Sequence, residues 1–325
     1  MIKTPRFTQL QLADPGNEQH ELITGLTAAA AHFSPKYFYD LLGSRLFDAI
    51  TCLPEYYPTR TEAGILRNQG EKLASVVPHE AVLIDLGAGN CKKGMSLFDF
   101  IHPSRYVAVD ISVDFLREAL EEVQRQHPDM TLDGLGEDFS TEFRLPSELR
   151  LNPETPKVFF YPGSSISNFG PDEALVFLKQ IQAYCVKNPK SGLLIGVDLV
   201  KDKATLEAAY DDALGVTAAF NKNALLNINQ RIGADFALAD WAHVALFNTE
   251  QLRIEMHLEA VRDATVHWTA QGDGKRTFRQ GDRIHSENSY KWLKSSFEAL
   301  LREAGFKDVT AFTDENEWFS LFWAS

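Results

Sequence analysis

The sequence predicts an α/β protein: a doubly wound sheet that carries a second lobe. Three observations predict it. Short apolar runs alternate with helical stretches from residue 61 to residue 200. The first of those runs ends in Gly87-Ala88-Gly89, and carboxylates close the next two. After Val200 the alternation stops and gives way to helices and then to strands of alternating polarity.

The elements follow in order. Residues 1–18 are polar and read as ragged, with no apolar core of the kind a signal peptide carries. Glu21 to His32 is Ala-rich and helical, and Lys36 to Ile50 repeats apolar residues at helical spacing. Leu53-Pro54-Glu55-Tyr56-Tyr57-Pro58 is a break bounded by prolines, with a helix from Thr61 to Ser75 after it. Strands are expected at Ala81–Leu86, Tyr106–Asp110, Met130–Leu135, Val158–Tyr161 and Gly192–Leu199. Helices fall at Met95–Phe100, Val113–Arg125 and Pro171–Val186. Then come helical stretches at Lys203–Phe220 and Lys222–Arg231, and alternating strands at Arg253–Leu258, Thr265–Thr269 and Arg276–Ile284. A helix from Asn288 to Ala304, stopped by Gly305, precedes two closing strands at Val309–Phe312 and Trp318–Trp323. The resulting division is 61–200 plus 288–325 for the sheet domain, and 1–60 plus 201–287 for the second lobe.

Composition narrows the function. With 325 residues, 44% of them apolar, the chain can bury a sizeable core. No run reaches the roughly 18 uncharged apolar residues of a spanning helix, so no membrane role is expected. Forty-five acidic against 32 basic residues give a net charge of −13, which repels phosphate backbones and argues against nucleic acid as a partner. Cys52, Cys91 and Cys185 form no paired spacing, as expected of reduced thiols in a cytoplasmic protein. No ligand spacing for a metal is present, His257 and His285 included.

Asp85-Leu86-Gly87-Ala88-Gly89 sits at a strand end, where glycines let a ligand approach the backbone. Asp110, at the end of the next strand, can accept two ribose hydroxyls. Asp138-Phe139 follows the third strand, where a carboxylate can meet an adenine amino group and a ring can pack on the base. Lys92 stands near where a dinucleotide fingerprint places its third glycine, which weakens a nicotinamide reading. The loop is nearer to that of class I methyltransferases, which bind S-adenosylmethionine. The plain alternative is a tight turn with Asp110 as a helix N-cap.

Longer strings resemble the histidine-specific α-N-methyltransferases, which form trimethylhistidine (hercynine) on the way to ergothioneine. They are Tyr37-Phe38-Tyr39-Asp40, Leu46-Phe47-Asp48, Leu53 to Glu62, Asp85 to Gly89 with Lys93, and Pro162 to Phe169. Asp198 to Asp202, Ala209 to Asp212, Arg253 to Leu258 and Ser286 to Lys291 continue the match. The resemblance implies that Tyr39, Gly87, Gly89, Lys93, Asp110, Asp138 and Phe139 surround the cofactor. It implies that Asn168 and Tyr210 hold the substrate carboxylate, and that Glu287 and Ser289 read the imidazole. Tyr56 would reach the ring through water, with Met256 and Phe47 packed near the ring and the amine. Three departures stand out: Asn90-Cys91-Lys92-Lys93-Gly94 replaces a Ser/Thr-rich turn, Asn288 replaces an apolar residue, and an insertion lies near Gly272-Asp273-Gly274.

The chemistry suits those residue types. A neutral amine displaces a neutral sulfide from a sulfonium, so alignment supplies much of the rate. Glu287 can accept a proton from an imidazole and Ser289 can donate one. Each residue also has a structural reading. Asn168 can cap the helix at Pro171, Tyr210 can be core on a helix, and Glu287 can cap the helix after it. The expected activity is methylation of the histidine α-amine up to trimethylhistidine. Rivals are another amino acid or a ring nitrogen as acceptor, kept open by Asn288, and a catalytically idle cofactor-binding protein.

Overall fold

The computed structural model describes residues 3–10, 15–139 and 142–325. They divide into two compact units: Met1–Gln11, Pro58–Val200 and Lys291–Ser325 in one, Leu12–Tyr57 and Lys201–Tyr290 in the other. In chain order the strands of the first unit are β1 (Arg6–Gln9), β2 (Val82–Leu86), β3 (Arg105–Asp110), β4 (Leu132–Gly136), β5 (Lys157–Tyr161) and β6 (Gly192–Asp198). The second unit holds β7 (Trp241–Asn248), β8 (Arg253–Ala260), β9 (Ala264–Trp268), β10 (Gly274–Phe278) and β11 (Arg283–Tyr290). β12 (Val309–Thr313) and β13 (Phe319–Ala324) return to the first.

The sheet unit has strand order β1-β4-β3-β2-β5-β6-β13-β12, parallel from β1 through β6 and antiparallel on both sides of β13. This is the doubly wound sheet that the sequence predicts. Every residue of β2, β4, β6 and β13 is buried. That is why β2, β6 and β13 read as largely apolar runs rather than alternations. Chain order reverses between β2 and β5, and the carboxyl ends of strands at such a reversal open a crevice.

The N-terminus differs from the ragged segment expected. β1 pairs in parallel with β4, and the reason lies in β4 itself. A side chain at Gly134 would come within 2.5 Å of the Phe7 ring. The glycines that weaken β4 as a sequence signal are the space that Phe7 fills. Arg6 and Arg105 both reach the Asp133 carboxylate, at 2.9 and 2.6 Å, joining β1, β4 and β3.

Other boundaries shift for local reasons. Helix Tyr57–Ala74 starts before the second proline, because Pro58 fits the first helical turn. The stretch expected as one helix around Met95 is two single turns, Lys92–Met95 and Phe98–Ile101. The helix expected over Lys203–Phe220 stops at Ala208, and its last residues join the expected Lys222–Arg231 stretch in one helix, Val216–Ile232. Asp212 ends the break by accepting the Val216 and Thr217 N–H groups at 2.9 and 2.7 Å. β11 runs to Tyr290, so the next helix is Lys294–Glu303 rather than one beginning at Asn288.

The second unit contains a three-stranded antiparallel sheet, β11-β8-β7, and the hairpin β9-β10. β7 was absent from the sequence prediction. Its middle positions are half-buried on both faces, so no alternation marks it. The Gly272-Asp273-Gly274 segment is the turn of the β9-β10 hairpin. Helix Val216–Ile232 packs on Leu41–Ile50 through Phe220, while Asn223 donates to Asp40, the N-cap of the latter.

The sheet unit also holds a sealed ion pair. Lys291 Nζ lies 2.9 Å from Asp198 Oδ2, with side chains 0% and 1% exposed. Removing one partner leaves a buried charge uncompensated, which costs about 3–5 kcal/mol. Lys291→Ala therefore lowers the unfolding free energy by that order in urea titrations. Adding Asp198→Ala recovers part of the loss.

Candidate active site

The sheet unit gathers its polar groups where β2, β3 and β4 end. Gly87 and Gly89 have φ of +70° and +52°, a region that L side chains rarely adopt. The Gly87 and Ala88 N–H groups donate to the Val109 carbonyl at 2.9 and 3.0 Å, holding the loop to β3. Asp110 completes the clamp. Its two carboxylate oxygens accept the Ser112 and Gly89 N–H groups, each at 2.8 Å. Burial pushes its pKa up, against those backbone donors. The helix that follows, Val113–Gln126, has Ser112 as its N-cap residue with no side-chain cap, so Asp110 is a loop clamp and not a helix cap.

The space over this loop suits an adenosyl group. A side chain at Gly89 would meet nothing within 4 Å, and one at Gly87 would meet only the Phe139 ring at 4.0 Å. Phe139 is half-buried among Phe143, Tyr161 and Phe177, so its ring is held from three sides. Asp138, beside it, is also half-buried. Glu137, just before, was not singled out in the sequence, yet burial raises its pKa to about 7. The residues present therefore fit the cofactor that the loop predicts.

Beneath the loop lies a buried chain of groups. The Tyr106 hydroxyl donates to Asp85 Oδ2 at 2.6 Å, and the Cys91 side chain is buried in the same core cluster as Tyr106. Cys91 has a left-handed backbone (φ +61°) and is fully buried. This is what the unusual Asn90-Cys91-Lys92 sequence builds. Burial raises the Asp85 pKa to about 7, opposed by the Tyr106 bond and the Lys93 charge. Burial also pushes the Cys91 thiol up, so it stays a thiol at neutral pH. Gly94 is required here, because a side chain would come within 2.3 Å of Asp85.

Lys93 is paired. Its ammonium sits 2.8 Å from Glu62 Oε2. Glu62 closes the Leu53–Glu62 string that carries part of the resemblance, which gives it no role. Asn168 ends a short 3-10 turn of this unit. It does not cap the helix at Pro171: Gly170 is the N-cap, and its N–H donates to Glu173 at 2.8 Å.

The remaining predicted residues belong to the other unit. Glu287 and Ser289 stand on β11 opposite Met256 and Ile254 of β8, and all four are buried. A bulge between His285 and Glu287 puts them there. It adds Ser286 and so shifts the inward set of β11 by one residue. Both residues lie within a strand, which removes the helix-capping reading. Asn288 faces the opposite side, where its Oδ1 is 2.9 Å from His285 Nε2. The departure that kept other acceptors open therefore points away from Glu287 and Ser289.

Tyr210 lies in the break between two helices, not on a helix. Its hydroxyl is 2.7 Å from Ser289 Oγ, so a residue that the resemblance implies for the carboxylate and one that it implies for the ring stand side by side. The His243 Nε2–H donates to the Tyr210 carbonyl at 2.8 Å, and Asn221 donates to Nδ1 at 2.8 Å, which fixes a neutral ring. Burial lowers the His243 pKa in keeping with this. Tyr56 packs edge-on to Tyr210 and to Phe47, at 6.3 and 6.1 Å between ring centres. Tyr39, assigned by resemblance to the cofactor set, lies in this unit and packs on Phe47 and Phe220 at 6.0 and 5.7 Å.

The family described as histidine-specific methyltransferase, SAM-dependent, matches residues 18–325. A histidine N-alpha-methyltransferase from Mycolicibacterium smegmatis is 37% identical over 308 residues, covering 93% of both chains. Ergothioneine biosynthesis protein 1 of Neurospora crassa is 32% identical over 86% of this chain, which spans 32% of that protein. The N-methyltransferase imqF of Aspergillus flavus is 27% identical over 91% of this chain and 81% of its own length. Matched across nearly its whole length, this chain belongs to the histidine-specific, S-adenosylmethionine-dependent methyltransferases.

Proposed function

We propose that the chain methylates the α-amine of free histidine and carries the reaction to trimethylhistidine. The observation that carries this reading is the inward placement of Glu287 and Ser289 on β11, with the Tyr210 hydroxyl bonded to Ser289. A relative that covers 93% of the chain at 37% identity is named for the same substrate and atom.

The cofactor, when bound, supplies a methyl group on a positive sulfonium. Asp110 offers the lone pairs left over from its two backbone bonds to the ribose hydroxyls. Phe139 offers a ring held rigid by its neighbours, and Asp138 an acceptor for the adenine amino group. Glu287 takes a hydrogen bond from the imidazole N–H, and Ser289 donates to the other ring nitrogen. Ser289 can turn its proton to the substrate because Tyr210 accepts or donates as required. A free amino acid carries its amine as ammonium at neutral pH, so the site favours or generates the neutral form. The rings of Tyr39, Phe47, Tyr56 and Phe220 form a linked aromatic cluster. Ring faces attract a methylated ammonium and demand no N–H from it, which suits repeated transfer.

Three outcomes test the reading. Asp110→Ala removes the hydroxyl acceptors and loosens the loop that Asp110 clamps. Affinity for S-adenosylhomocysteine then falls at least about tenfold by calorimetry. Unchanged affinity sinks the assignment of Asp110. Glu287→Ala weakens histidine binding by roughly 1–3 kcal/mol, through an unpaired imidazole N–H, and leaves cofactor binding intact. Normal histidine affinity in this variant removes Glu287 from the site.

With excess cofactor, mass spectrometry shows mono- and dimethylhistidine passing to a trimethyl product, and dimethylhistidine serves as substrate. A reaction that stops at one methyl, or that places it on the ring, refutes the proposal.

A further inference from the structure

Glu62 is a charged group whose burial is explained by neither the core nor the assigned site. It stands on helix Tyr57–Ala74 and is 1% exposed. Its carboxylate accepts the Gly163 N–H, at 2.9 Å to Oε1 and 3.2 Å to Oε2, and meets Lys93 at 2.8 Å. Burying a carboxylate is costly unless it is paired and bonded, as this one is.

Two glycines make room for the pair. A side chain at Gly196, in the middle of β6, would come within 2.2 Å of Glu62 Oε1. One at Gly163, where φ is +74°, would come within 2.7 Å of Lys93 Nζ. A glycine inside a fully buried strand weakens it, and marks a close approach by another group.

Lys93 is not sealed in. Its side chain is 31% exposed, and its ammonium has donors beyond the one facing Glu62. Lysine is a mobile point charge on a flexible stem, so its donors are directed only where something fixes the ammonium. The other carboxylate that feels its charge is Asp85, whose Oδ1 is buried with no hydrogen bond among the described residues. Glu62 thus decides which way Lys93 faces.

We propose that Glu62 is a positioning residue: it fixes the Lys93 ammonium at the Gly163 turn and thereby sets affinity for the carboxylate of the cofactor's amino-acid part. This rests on the reading of Lys93 as a cofactor contact. Without Glu62 the ammonium is drawn toward Asp85 and away from that carboxylate.

Calorimetry with two probes tests it. S-adenosylhomocysteine carries the carboxylate, and methylthioadenosine lacks the whole amino-acid part. Glu62→Gln weakens the first about fivefold or more, the scale of ordering one long side chain, and leaves the second unchanged. Lys93→Met shows the same selective loss, and Glu62→Gln adds nothing in that background. If Lys93→Met weakens S-adenosylhomocysteine while Glu62→Gln does not, the positioning role is wrong and the reading of Lys93 stands. If Lys93→Met changes neither probe, both fail. Equal weakening of both probes by Glu62→Gln means a structural role and also overturns the proposal. Should Glu62→Gln fail to fold, Glu62→Asp keeps the charge at shorter reach. It is expected to lose S-adenosylhomocysteine affinity selectively, and loss of both probes or of neither overturns the inference.

Discussion

Burial of the central strands on both faces governs where chemistry can occur in the sheet unit. β2, β4 and β6 have no wet face, so a polar side chain within them must find an internal partner. Asp85 finds Tyr106, Asp133 finds two arginines and Asp198 finds Lys291. Groups intended for a ligand are left only one place, the carboxyl ends of the strands. There the backbone itself supplies donors, and Asp110 uses two of them to tie one strand end to the next loop. The site is thus a product of the packing that surrounds it.

In the second unit the equivalent step is one extra residue. The pleat allots alternate side chains of β11 to opposite faces, and Ser286 resets that allotment midway. Ile284 faces inward before the bulge, and Glu287 and Ser289 face inward after it. The partner strand has no such break: Ile254, Met256, Leu258 and Ala260 are all buried. Two polar side chains, Glu287 and Ser289, are thereby set on an otherwise apolar face without disturbing the pairing strand.

Much of the sheet was legible because buried parallel strands leave unmistakable apolar runs. Gly87, Gly89 and Asp110 were legible as a set because three strand ends fall in order. What escaped detection was tertiary in origin. β1 is four polar-flanked residues whose only strong feature, Phe7, makes sense once the glycines of β4 are seen beneath it. The bulge in β11 broke the period of two, and Asn288 to Tyr290 then looked like the start of a helix. The turn at Tyr210 was hidden because Asp212 and Gly215 were read as interior helix residues. Glu62 left one trace in β6, the mid-strand Gly196, but a glycine by itself does not say what approaches it.

The interleaving of the two units bears on how the chain can acquire its structure. β6 takes β13 as its neighbour, and the whole of the second unit's strand-bearing segment lies between them in sequence. Until that segment has been made, β6 has an open flank of mostly apolar residues and unpaired backbone groups. Such a flank forms late, because a long loop must close before the pairing returns any free energy. The β11-β8-β7 sheet, by contrast, joins strands close in sequence and can form early. A chain whose second-unit sheet forms first leaves the β6 edge open to pairing with other chains until β13 arrives. Slow synthesis or high concentration at that stage favours association over completion of the sheet.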